Sequence, residues 1–165
     1  MVIILVLTLL LTSLDQILKL VINNQLVLNN SIEIIPNFFY LTHVHNYGAA
    51  WSILNNKSFF LVLVALAALV MIYFYFIKGK SLKKIDIIFI SMLISGIIGN
   101  MLDRIRLGYV IDYLDFNIFG YDFPVFNLAD TLIVLAIIIL IIKTLKEEKN
   151  AKIHSSRKWR KYAYW

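Results

Sequence analysis

IDIIFISMLISGIIGNMLDRIRLGYVIDYLDF, residues 85–116, decides how this chain is to be read. Its first eighteen residues form an almost unbroken apolar run, and it then delivers Asp112 to the edge of that run. A second acid, Asp130, closes FPVFNLAD and stands directly before TLIVLAIIILII, residues 131–142. Ionisable groups at membrane depth are costly and tend to mark functional sites. Two carboxyls held close together cannot both ionise easily, so such a pair tends to keep one proton. A pair of that kind can activate water, and the first reading is an intramembrane aspartic hydrolase.

Working outward, 61% of the 165 residues are hydrophobic, against about 45–50% in ordinary soluble domains. Mean hydropathy is +0.80. Apolar tracts lie at about 1–22, 57–77, 85–105 and 124–142, and each approaches the ~20 residues a helix needs to cross the hydrocarbon core. The expectation is an all-α membrane protein in one domain, with four transmembrane helices, a small extracytoplasmic β-cradle and a surface loop. The first tract lacks a basic leading region. It carries Asp15, Gln16 and Lys19 where a cleavage site would need small residues, so it reads as a retained span. Segment 23–56 mixes β-branched, aromatic and polar residues around Pro36, which predicts short strands. The connection between the third and fourth tracts, with Gly120 and Pro124, reads as a short reversal that brings Asp112 and Asp130 together.

Charge sets the expected orientation. Twelve of the sixteen Lys and Arg fall in the loop KGKSLKK, residues 78–84, or in the tail from Lys143 onward. Basic flanks mark the cytoplasmic side. Both termini and the basic tail 143–165 are therefore expected inside, and segment 23–56 and both acids at the outer leaflet. The tail reads as a lipid-facing flank rather than a nucleic-acid site. The chain has no cysteine, which excludes thiolate catalysis and disulfides. His43 and His45 form an i, i+2 pair without a third ligand at sensible spacing, so no metal and no cofactor is expected.

The remaining polar positions at membrane depth each have two readings. Asp15 and Lys19, four apart, share a helix face as an ion pair or as support for the site. In NYGAAW, residues 46–51, Gly48 and its small neighbours either allow tight packing or leave room for substrate beside Asn46. In GNMLDR, residues 99–104, adjacent Asp103 and Arg104 point in different directions and either can share a face with Asn100; Asn100 and Arg104 could thus line one cavity, or Arg104 could simply snorkel. Asp112 and Asp115 both qualify on spacing alone. Asn127 and Asp130 open the fourth span, where an acid also suits a helix N-terminus.

Together DQILK, NYGAAW, GNMLDR, GYVIDY and FNLAD, in order along nearly the whole chain, resemble the lipoprotein signal peptidases (signal peptidase II), bacterial membrane aspartic peptidases. The resemblance implies that Asp112 and Asp130 form the catalytic pair. It also implies that Asn46, Gly48, Asn100, Arg104 and Asn127 bind substrate, with Asp15, Lys19 and Asp103 in support. It further implies a diacylglyceryl-modified prolipoprotein as substrate, cut just before the lipidated cysteine, and a monomer in the bacterial cytoplasmic membrane amid its lipids. A phospholipid headgroup transferase would instead need carboxylates holding divalent metal, and a small proton- or ion-conducting subunit would use buried acids as a relay.

Overall fold

A computed structural model describes residues 1–49 and 53–162, with side chains through residue 149. Ala50 and Trp51 of NYGAAW, and the tail side chains from Asn150 onward, lie outside the described residues. Four helices carry the fold: α1 (Val2–Gln25), α2 (Ser58–Ile72, continued by a π-helical turn, Tyr73–Ile77), α3 (Lys84–Leu107) and α4 (Leu128–Tyr162). Each contains a stretch long and apolar enough to cross a membrane. Their many Ile and Val residues are indifferent helix formers in water. In lipid the backbone must satisfy its own polar groups, which makes the helix obligatory.

Helix α3 is the hub, packing against α1, α2 and α4. Two glycines, one turn apart, make this possible. A Cβ on Gly96 would collide with the Ala129 carbonyl of α4, and one on Gly99 would lie 2.6 Å from Asp15 Oδ2 of α1. Ile4, Ile72, Phe89, Ile90 and Ala136 form a buried cluster where all four helices meet. The outer faces of α1 and α2 stay apolar and uncovered, with Leu9, Ile17, Phe59 and Val70 all exposed on the protein. A hydrocarbon surround accounts for that pattern, since soluble monomers rarely present such continuous apolar faces.

Beyond the helices lies one antiparallel sheet in the order β1 (Ser31–Ile35), β2 (Phe39–Asn46), β3 (Val110–Ile118), β4 (Tyr121–Asp122). The connection between α3 and α4 therefore differs from the short reversal expected of it: nine of its residues form β3. The physical reason lies in YVIDYLDF, whose β-branched and aromatic residues suit a pleated surface. Gly108 (φ 84°) ends α3 in the left-handed conformation and turns the chain into the strand. Val44 lies opposite Asp112 and Asn46 opposite Val110 across β2 and β3. A strand also separates two acids that a helix would have aligned. Asp112 and Asp115, three apart, point to opposite faces, and Asp115 accepts a 2.6 Å bond from the Thr42 hydroxyl.

Candidate active site

The start of α4 is a buried helix end whose free amides all find partners. Asn127 is its N-cap, and its Oδ1 accepts from the Asp130 amide at 3.0 Å. The Asp130 carboxylate answers by accepting from the Asn127 amide at 3.2 Å. That is a reciprocal capping box, N-x-x-D in place of the commoner S/T-x-x-E. The Leu128 amide reaches the Tyr113 hydroxyl, and the Ala129 amide reaches Asp15 Oδ1 at 3.0 Å. The Thr131 amide returns to the Asn127 carbonyl. All four donors that a helix start leaves open are thus satisfied, two of them by side chains from β3 and α1.

Asn127 also joins the two acids. While its backbone amide serves Asp130, its side-chain amide donates to Asp112 Oδ1 at 2.6 Å. Asp112 Oδ2 receives Asn46 Nδ2 at 2.9 Å, and Asp130 Oδ1 receives Asn100 Nδ2 at 2.7 Å. Asparagine amides from β2, α3 and the α4 cap therefore fix both carboxyls. Asp112 is only 2% exposed. Burial, and next the neighbouring Asp130 charge, push its carboxyl up to about 7, against the pull of its two amide donors.

Behind the pair stands a buried cation. Lys19 spends its three N–H groups on Asp15 (2.9 Å), Asp103 (2.8 Å) and the Asn100 side-chain carbonyl (2.9 Å). Held at its oxygen, Asn100 must aim its amide at Asp130. Gln16 completes this layer by donating to Asp103 Oδ1 at 2.9 Å. Asp103 and Arg104 diverge as neighbours on a helix do. Arg104 crosses to the Gly48 carbonyl at 2.7 Å and its own helix at Asn100 O, and its buried Nε has no partner among the described residues.

A cavity of about 460 Å³ opens onto this arrangement, with Asn46, Asn100, Arg104, Asp112, Asp130 and Thr131 as its polar lining and Val110, Phe123, Phe126, Val134 and Leu135 among its apolar walls. Two residues expected to line the site stand behind it instead. Asn127 is fully buried and reaches substrate space only through the carboxyls it holds. Gly48 is buried as well, its carbonyl taken by Arg104. Their backbone and capping roles explain the difference: Asn127 is pinned at the buried start of α4, and Gly48 has no side chain to offer. The sequence pattern did not reveal Tyr113 or the aromatic wall of Phe123 and Phe126, because nothing in an apolar stretch marks which side chains turn inward. His43 and His45 sit on the opposite face of β2 from the Asp112 partner Val44. His43 bonds the Leu26 carbonyl, and His45 stacks on Tyr109 at 3.7 Å.

Two carboxyls joined through one asparagine thus open onto a largely apolar cavity among helices long and apolar enough to span a membrane. The family model for signal peptidase (SPase) II matches residues 7–146. The chain is similar to the lipoprotein signal peptidases of Staphylococcus aureus strains JH9 and Newman, 40% identical to each over 138 residues that cover 84% of this chain and 85% of the relative. Two solved structures share the fold at 36% identity. One is a bacterial membrane enzyme determined by the in meso method at 2.3 Å (TM-score 0.83, covering 89% of this chain and 90% of that one). The other is a bacterial membrane enzyme determined at 1.9 Å (TM-score 0.78, covering 87% and 92%). The chain belongs to the signal peptidase II family, and is a multi-pass cell-membrane peptidase of the aspartic type.

Proposed function

We propose that this enzyme removes signal peptides from diacylglyceryl-modified prolipoproteins, cutting just before the lipidated cysteine, with Asp112 and Asp130 as the catalytic pair. The observation that carries the reading is Asn127: one residue grips both carboxyls, and both open onto the same cavity.

The pair shares one proton. The ionised carboxyl takes a proton from water as that water attacks the scissile carbonyl carbon, and the protonated carboxyl donates to the carbonyl oxygen. A tetrahedral diol results. It collapses as a proton passes to the departing amine, the C–N bond breaks, and the pair regains its starting single proton. Asn46, Asn100 and Arg104 face the cavity beside the acids. Arg104, its Nη groups held by the Gly48 and Asn100 carbonyls, brings positive charge to the cavity wall. Val134 and Leu135 offer apolar surface to acyl chains.

The basic loop and tail favour cytoplasmic termini, which sets the pair at the outer leaflet, where a lipid-anchored cysteine would be held. The reading takes the enzyme as a monomer amid membrane lipids, with a lipid-anchored precursor rather than nucleic acid as its partner. The test is cleavage of a diacylglyceryl prolipoprotein by the purified protein with EDTA present. Turnover that EDTA leaves intact and that Asp112→Asn or Asp130→Asn abolishes supports the assignment. Activity surviving in Asp112→Asn but lost in Asp115→Asn refutes it.

A further inference from the structure

We propose that the end of the sheet formed by the β1–β2 and β3–β4 turns is a lipid-inserting tip, seated in the leaflet that borders the cavity. The β3–β4 turn is Phe119–Gly120, and both residues are left-handed (φ 54° and 86°). Two-residue hairpin turns of this kind favour Asn-Gly, because asparagine tolerates positive φ and most side chains do not. Phenylalanine there costs backbone energy and gains nothing from the fold, since its ring is fully exposed at 107%. Among the described residues nothing rewards that ring, and a surround of lipid would.

The neighbours agree. Ile118 and Tyr121 flank the turn, both exposed. The Asn117 amide bonds the Phe38 carbonyl at 2.9 Å, so the β1–β2 turn lies alongside and adds exposed Ile35 and Phe38. The acids at this end are turned to local partners: Asp122 accepts from the Asn117 side chain at 2.7 Å, and Glu33 accepts from the Asn37 amide and the Tyr40 hydroxyl. An exposed apolar cluster of this kind marks a protein or membrane contact. Continuity decides for lipid. Phe38, Phe116, Phe126 and Phe123 follow one another at ring separations of 5.6, 5.8 and 5.7 Å. That run ends in the cavity wall, beside Val134 and Leu135 of α4, which are themselves exposed along the spanning helix. Tip, cavity mouth and membrane-facing helix surface form one apolar strip. The consequence for catalysis rests on the peptidase reading: the tip would hold the cavity mouth at the level where a lipid-anchored substrate lies.

The absence of cysteine makes a direct test available. A nitroxide attached at Phe119→Cys or Tyr121→Cys reports collisions with oxygen, which concentrates in hydrocarbon, and with a nickel chelate, which stays in water. Ser81→Cys in the Lys-rich loop is the aqueous reference. In phosphatidylglycerol–phosphatidylcholine bilayers the oxygen-to-nickel ratio at 119 and 121 should exceed that at 81 several-fold. Ratios equal to Ser81 would place the tip in water. Labels shielded from both colliders would show a protein contact. Either result overturns the proposal. No cleavage is measured, so failure here and failure of the peptidase reading are separable.

Discussion

At the scale of single residues, the site is governed by how asparagines are spent. Asp112→Asn and Asp130→Asn keep the side-chain shape and one of the two hydrogen bonds that each carboxyl accepts, but remove the shared proton. Each should lower kcat by about 10³-fold or more, read by gel-shift cleavage of a lipidated precursor. The raised Asp112 pKa gives a signed pH dependence. Its folded value of about 7 lies above the ordinary 3.8, so the folded state holds a proton that the unfolded chain has released between those values. Stability should be full below about pH 4 and fall as pH rises toward 7. Asp112→Asn should flatten that slope in thermal melts. Activity should decline above about pH 7, by up to tenfold per unit, as the pair loses its proton. Lys19→Met leaves Asp15 and Asp103 buried without their cation and should cost about 3–5 kcal/mol, seen as a large fall in Tm in detergent.

At the scale of elements, close approach of helices places the acids. Gly99→Ala would drive a methyl into the Asp15 carboxylate. A cost of about 1–3 kcal/mol follows, together with reduced kcat, because Asp15 caps the helix that carries Asp130. Parallel melts and cleavage rates would check both effects. The Phe119 turn gives the opposite sign: Phe119→Asn relieves a left-handed residue and should stabilise the detergent-solubilised protein by up to about 1 kcal/mol. Much of this architecture was legible in the sequence, and for stated reasons. Four apolar tracts announce four helices because the bilayer sets their length, and the strands of segment 23–56 are visible in its β-branched residues. Asp112 and Asp130 stood out because charge at membrane depth is rare. Strand β3 was hidden because Gly120 and Pro124 made the whole connection read as a short reversal. The burial of Asn127 was hidden because a cap and a ligand-facing amide look alike until the helix start is placed.

At the scale of the whole molecule, every spanning helix except α2 contributes to one polar assembly inside an otherwise apolar protein. Asp15 and Lys19 come from α1, Asn100 and Asp103 from α3, Asp130 from α4. The i, i+4 pairing of Asp15 with Lys19 bears on biosynthesis. A nascent first span can enter the bilayer with its opposite charges neutralising one another, before any neighbour exists. Asn100 and Asp103 join that ion pair only when the third span arrives, and the Asp15 bond to the Ala129 amide closes only with the fourth. The complete network is thereby deferred until the fourth span is in place, so the buried charges of the first span find their partners in stages.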